Sequence, residues 1–313
     1  MDNVNDFFAT LSSFLWGWPM IVLLLGTHVF LTIRLRFPQR KLFTAIRLSV
    51  QRDKSQKGDV SQFGALATAL AATIGTGNII GVATAVALGG PGAVFWCWLT
   101  GVFGISTKYS EALLAIKYRV RSERGTMQGG PMYTLERGLG WRWMGILFAL
   151  FTAIAAFGIG CTVQANAIST IMHASYGIST EVSGGVLMLL AAAVIIGGVR
   201  SISKVCSMLV PFMALLYVLG CIYILCVNSG YVAPALNLIV RSAFSPDAAG
   251  GGFAGASVIM AARYGIARGL FSNESGLGSA PIVAAAARTK NPVRQALVSS
   301  TGTFWDTVVI CAL

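Results

Sequence analysis

The eight residues Ile74-Gly75-Thr76-Gly77-Asn78-Ile79-Ile80-Gly81 (IGTGNIIG) decide how this chain is read. They lie inside an apolar run, with Ala69-Leu70-Ala71-Ala72 before them and Val82-Ala83-Thr84-Ala85-Val86-Ala87-Leu88 after. An apolar run of roughly 20 residues is what an α-helix needs to cross the hydrocarbon core of a bilayer. Three glycines, a threonine and an asparagine interrupt this one in its middle. Backbone N–H and C=O groups freed there have no water to take them, so a break is tolerated only where it is buried in protein or lines a cavity.

The rest of the composition fits a membrane. The chain has 313 residues, 55% hydrophobic and 11% charged, against about 25% charged in a soluble domain. Its mean hydropathy is +0.72. This describes a polytopic membrane protein whose first partner is the lipid bilayer. The net charge of +12 does not indicate nucleic acid, because the basic residues alternate with apolar spans and form no single patch. Six cysteines (Cys97, Cys161, Cys206, Cys221, Cys226, Cys311) lie in apolar stretches without a CxxC pair. They read as small buried hydrophobes, not as disulfides or metal ligands. His28 and His173 have no cluster of ligands at metal-binding spacing and read as structural. No cofactor is expected. No Lys or Arg precedes Arg34, so the first apolar stretch lacks the basic region of a signal peptide and is expected to stay as a helix.

Eight spans are expected, at about 14–33, 63–88, 92–116, 143–172, 182–199, 205–227, 253–286 and 296–313. Basic residues gather after every odd-numbered span: Arg34 to Lys57 after the first, Lys117 to Arg142 after the third, Arg200 and Lys204 after the fifth, Arg288, Lys290 and Arg294 after the seventh. The intervening loops carry only Arg241. Cytoplasmic loops collect Lys and Arg, so the N-terminus is expected outside a plasma (bacterial inner) membrane. Phe37 to Val50 interleaves apolar and basic residues and suits either an interfacial amphipathic helix or a solvated basic loop. Pro131 opens an expected short cytoplasmic helix through Arg137. The last span stops at Leu313 without a polar tail, so the chain is expected to be a fragment.

The seventh span is interrupted too, over Arg268-Gly269-Leu270-Phe271-Ser272-Asn273-Glu274-Ser275-Gly276-Leu277-Gly278-Ser279. The second and seventh spans run in opposite directions. Discontinuous helices at matching positions of two inverted halves point to a transporter site near the midplane. A five-span repeat would then cover 60–228, with 14–33 as an extra span in front and 253–313 as the start of a second repeat. The chemistry follows. Half-helix N-termini offer free N–H groups and a positive dipole end to a carboxylate. Unwound carbonyls, hydroxyls and amides supply oxygens for a hard cation such as sodium, and bound cation and carboxylate would favour each other. Glycines in membrane helices also serve close packing alone. Two inverted breaks, each with Asn and Ser or Thr, favour the site.

At this point the sequence resembles the alanine or glycine:cation symporters. Gly89-Gly90-Pro91-Gly92-Ala93-Val94-Phe95-Trp96-Cys97-Trp98-Leu99-Thr100-Gly101 is similar to that family's signature. Gly75-Thr76-Gly77-Asn78-Ile79, Phe271 to Pro281, and Gly302-Thr303-Phe304-Trp305-Asp306 are similar to it as well. The resemblance implies an all-α helix bundle of the leucine-transporter type, built on inverted five-helix repeats and here truncated in the second. It also implies uptake of a small neutral amino acid, alanine or glycine, driven by sodium or by protons. By the same likeness, Thr76 and Gly77 would hold the substrate carboxylate, and Asn78 would touch the ion; Asn78 is also expected at the substrate, and Gly75 at the ion.

Other residues are singled out by being polar at membrane depth. Gln164, in the middle of the fourth span, is expected either to bind the substrate or to bond another helix. Asn166 points about 200° away on a helix and is the weaker candidate. Phe271 could wall a pocket sized for a methyl group, or pack in the core. Ser272, Asn273 and Gly276 are expected at the substrate, with Ser272 also at the ion. Glu274 is an ion ligand, a proton carrier or a salt-bridge partner, with Arg268 favoured over Arg263. Asp306 supplies a carboxylate to the cation or an ion pair. An intramembrane enzyme using Glu274 or Asp306 is the rival reading. Against it, the sequence has no nucleophile–base pair and no metal motif. A third reading is an inert transporter fragment.

Overall fold

The computed structural model describes residues 2–51, 58–123, 125–245 and 258–313. Helices α1 (Asp2–Leu15) and α2 (Trp18–Arg34) make the first span. A 3-10 turn, Pro38–Lys41, leads into α3 (Leu42–Val50), the amphipathic choice of the two offered by that stretch. Ala45 and Ser49 are buried while Phe43 is 86% exposed, so one face packs and the other is left for an apolar surround. The Ser61 hydroxyl accepts from Gly64 N–H and opens α4 (Gln62–Thr73). Next come α5 (Thr76–Gly89), α6 (Gly92–Lys117) and a small antiparallel hairpin, β1 (Val120–Arg121) with β2 (Met127–Gln128). Helix α7 (Pro131–Leu139) begins at the proline, as expected. The fourth span is α8 (Arg142–Ala155), a π-helical stretch Ala156–Thr162, and α9 (Val163–Tyr176). Helices α10 (Thr180–Ile195), α11 (Gly198–Val227), α12 (Ser229–Ser242), α13 (Val258–Asn273), α14 (Ala280–Ala285) and α15 (Pro292–Thr303) follow, with a π-helical stretch Phe304–Ile310 at the end.

Several expectations need correction. The second span is bent by 42°, but only Ile74 and Gly75 leave the helix; the break does not extend to Gly81. The Asn78 side chain accepts from Gly75 N–H and restarts the helix at Thr76, and interior glycines cost a helix only about 1 kcal/mol each. The break in the seventh span is Glu274 to Ser279, not Arg268 to Ser279. The expected start of that span, 253–257, lies outside the described residues, as do Arg52, Lys54, Lys57 and Arg124. Helix α10 stops at Ile195, short of 199, and Arg200 and Lys204 sit inside α11 instead of a loop. Helix α12 and the hairpin were not foreseen. Among the described residues, three helical stretches, Asp6–Arg34, Arg142–Tyr176 and Gly198–Val227, are each long and apolar enough to cross a membrane, four spans if the bent pair counts as one.

Burial is inverted relative to a water-soluble domain. Ile196, Phe157, Leu189 and Phe212 are exposed, while Thr100, Thr107, Gln295, Thr301 and Asp306 are buried. Lipid tails are as apolar as Leu, so association inside a bilayer rests on close packing and internal hydrogen bonds. Helix α6 is the central post, packed on α2, α13, α14 and α15. Against it α13 offers Gly265 and Gly269, four residues apart. A Cβ at Gly265 would meet Trp96 Cβ at 2.8 Å and overlap the Ala93 carbonyl; one at Gly269 would overlap the Thr100 hydroxyl.

The two interrupted spans run past each other in opposite directions. Helix α5, after its break, packs on α13, before its break; α14 packs on α4. At the far end Asp59 N–H and Val60 N–H donate to Ala286 O at 2.8 and 3.2 Å, and Arg288 N–H donates to Val60 O at 2.7 Å.

Candidate functional site

The two interrupted spans meet beside their breaks, through side chains of α5, α13 and the last span. Asn78 Nδ2 donates to Asp306 Oδ1 at 2.8 Å, to Ser272 Oγ at 3.1 Å and to Asp306 O at 3.2 Å. Ser272 Oγ donates to Asp306 Oδ2 at 2.9 Å, and Thr307 Oγ1 donates to the same oxygen at 2.8 Å. Cys311 Sγ lies 3.3 Å from Asn78 Nδ2. Asp306 is 1% exposed. A carboxylate sealed from water needs donors or a cation on both oxygens. Here three side chains from α5, α13 and the last span supply the donors.

This geometry changes the role expected of Asn78. Its oxygen is engaged by Gly75 N–H at 2.9 Å, so it faces Asp306 with its nitrogen, and a donor nitrogen does not ligate a cation. Gly75 serves α5 as the residue that Asn78 caps.

Beside the network lies a cavity of about 940 Å³, lined among others by Trp16, Thr76, Gly77, Gln164, Arg268 and Phe271, with Ser272 and Glu274 at its wall. The Gln164 amide oxygen accepts from Thr76 Oγ1 at 3.0 Å and Thr76 N–H at 3.5 Å. A neutral acceptor from the fourth span thus covers the N-terminus of α5. Asn166 lines the cavity too, although a regular helix would turn it away. The lining spans a broad face of α9, from Val163 to Ile171, and so takes in both residues. Phe271 stacks edge-on against Trp16 with centroids 5.7 Å apart.

Not every expected residue reaches this cavity. Asn273 Oδ1 accepts from Ser275 N–H at 2.9 Å, its carbonyl accepts from Lys108 Nζ at 2.7 Å, and it lines a separate void of about 10 Å³. Gly276 N–H and Gly278 N–H both donate to Glu111 Oε1 at 3.1 Å; Gly276 sits beside Leu24 instead of the cavity. The expected ion pair of Glu274 with Arg268 is not formed. Glu274 accepts a short hydrogen bond from Ser279 Oγ, while the Arg268 guanidinium lies 5.2 Å above the Phe271 ring. No salt bridge involves either of them among the described residues.

Lys108 and Glu111 were missed. Both lie inside α6 and hold the seventh span at its interruption: Lys108 bonds the carbonyl of Asn273, the last residue of α13, and Glu111 bonds the glycines of the break. The signal was available, since two ionisable residues three apart in an apolar span are functional or structural by default.

Two interrupted, antiparallel helices bonded through a buried carboxylate, beside a cavity in a bundle with apolar outside and polar inside, define a multi-pass membrane transporter. The chain belongs to the sodium:alanine symporter family, whose model matches residues 1–313. It is 52% identical over 311 residues to the sodium/alanine symporter AgcS of Methanococcus maripaludis, covering 97% of this chain and 68% of that protein. An uncharacterized transporter of Haemophilus influenzae is 53% identical over 313 residues, covering 99% of this chain and 69% of the relative. The putative sodium/proton-dependent alanine carrier protein YrbD of Bacillus subtilis is 41% identical over 307 residues, covering 98% and 62%.

Proposed function

We propose that this protein couples sodium entry to the uptake of alanine, with glycine as a smaller alternative substrate. The observation that carries the reading is the Asn78–Ser272–Asp306 network, which ties the two interrupted helices together at one buried carboxylate. Asp306 carries the negative charge that a sodium ion would meet. Ser272 and Thr307 now donate to it, and a hydroxyl that turns its hydrogen away offers a lone pair instead. A cation arriving at Asp306 would therefore convert two donors into ligands and loosen Asn78. That loosening reaches α5 and hence the wall of the cavity. The substrate occupies the cavity at Thr76, Gly77, Gln164 and Phe271. At about 940 Å³ it stands near the top of the roughly 300–1,000 Å³ range of small-molecule sites, more than a six-heavy-atom amino acid fills. The rest of the volume serves as access from one side. The same reading takes 60–228 as one repeat and 253–313 as the start of its inverted counterpart, in a bacterial inner membrane with the N-terminus outside.

The test is uptake of labelled alanine by proteoliposomes of the full-length protein, with and without an inward sodium gradient. Sodium-driven accumulation is expected in the wild type. Asp306→Asn and Asn78→Ala are expected to reduce it at least tenfold while the amount of protein in the membrane holds. Undiminished uptake in Asp306→Asn would overturn the ion role.

A further inference from the structure

We infer that α3 and the turn before it form a binding surface for anionic phospholipid: Phe43 and Val50 meet the acyl chains, and Arg40, Lys41 and Arg47 meet the phosphodiester headgroup. The inference stands apart from the transport reading and does not depend on what the protein carries.

The charge is one-sided. Arg34, Arg36, Arg40, Lys41 and Arg47 fall within 34–50, and no Asp or Glu occurs from Phe7 to Arg52. All five cations are exposed, and none makes a salt bridge among the described residues. Arg40 lies over the Phe37 ring, with Cζ 5.3 Å from the centroid, so a cation and an aromatic body come as a unit.

The geometry sorts the faces of α3. Ala45 and Ser49 are buried, while Phe43 is 86% and Val50 77% exposed. At about 100° per residue, Val50 lies about 20° and Arg47 about 40° from Phe43 on the helix surface. Apolar and basic side chains therefore share the outward face, the arrangement of a helix lying in a membrane interface. Its depth is set by α2, which closes an apolar span at Arg34, eight residues before α3 begins.

The surface is also held in place. Gln39 Nε2 donates to Thr32 Oγ1, Val102 O and Ser106 Oγ at 3.0–3.1 Å, which ties the turn to α2 and α6. Helix α3 packs on α15, and Arg294 Nη2 donates to Gln51 O at 3.2 Å. Arginines on a fixed surface can fork a phosphate at little entropic cost. A phospholipid supplies the hydrocarbon and the anion in one molecule; a free phosphate supplies only the anion. Each cation beside an anionic membrane surface contributes about fivefold in affinity.

The experiment measures thermal unfolding of the full-length protein in nanodiscs of phosphatidylcholine alone and of equal parts phosphatidylcholine and phosphatidylglycerol. Phosphatidylglycerol is expected to raise the melting temperature of the wild type by several degrees at low salt. At about 1 M salt, where charges are screened beyond about 3 Å, most of that rise is expected to vanish. The double variant Arg40→Gln/Arg47→Gln is expected to keep less than half of it. Lys117→Gln/Arg137→Gln removes the same charge from other exposed positions and is expected to keep nearly all. A wild type indifferent to phosphatidylglycerol overturns the inference, and so do equal losses in the two double variants. The same rise from inorganic phosphate added to phosphatidylcholine discs, at matched ionic strength, also overturns it, because a free anion would then suffice. If the Arg40→Gln/Arg47→Gln protein does not accumulate, Arg47→Gln alone is read against Arg137→Gln by the same criterion.

Discussion

Single residues set the site, and Glu111 shows how much one side chain can hold. Its Oε1 accepts both Gly276 N–H and Gly278 N–H, at positions with φ of 90° and 83° where glycine alone is comfortable. Glu274 beside them sits at φ 51°, a left-handed conformation unusual for a side chain of its size. Hydrogen bonds to charged groups contribute about 1.5–3 kcal/mol each. Glu111→Ala is therefore expected to destabilise the folded protein by about 3 kcal/mol, and Glu111→Gln, which keeps an acceptor oxygen, by clearly less. Thermal unfolding of the purified variants measures the difference, and equal losses would show that the carboxylate does not pin the break. The sequence made Asn78, Ser272 and Asp306 visible, because each is polar where Leu is expected. It could not show that Asn78 faces Asp306 as a donor. That depends on its oxygen being taken by Gly75, a matter of helix capping and not of residue type. Glu274 and Arg268 were paired in the reading by charge and proximity in sequence, but Ser279 and Phe271 lie nearer in space.

At the scale of elements, the contact of α13 with α6 decides where the seventh-span break falls. Gly265 and Gly269 let the two backbones approach as only small residues permit. Gly269→Leu is expected to force the helices apart and to leave little folded protein, and Gly265→Ala to cost about 1–3 kcal/mol as overpacking. Gly184→Ala, where a Cβ would meet nothing within 4 Å, serves as the control and is expected to be neutral. Detergent-solubilised yield and melting temperature check all three; a neutral Gly269→Leu would contradict the packing. Both interruptions were legible as glycine-rich polar stretches in apolar runs, but both were read too long. Gly77 and Gly81 are helical glycines that make room for Arg268, and Arg268 to Asn273 complete α13. Glycine marks close approach and unwinding alike, and sequence alone does not separate the two. Helix α12 was hidden for another reason: Asn228, Ser229, Gly230 and Pro234 carry the signals of a loop, yet Pro234 is accommodated within the helix.

The whole molecule puts apolar side chains outward and hydroxyls, amides and carboxylates such as Asp59 and Asp306 inward, with the two interrupted helices crossing at Asp306. Hydropathy made the first half of this statement readable; the crossing needed contacts between residues some 200 positions apart. The consequence is thermodynamic. If sodium at Asp306 raises the affinity for an amino acid lying across Asn78 from it, the amino acid must raise the affinity for sodium by the same factor. The direct measurement is the Kd of the purified full-length protein for alanine across a series of sodium concentrations. The account predicts that Kd falls at least fivefold as sodium rises in the wild type and stays flat in Asp306→Asn. A wild-type Kd indifferent to sodium, or an Asp306→Asn variant with the wild-type dependence, would contradict it.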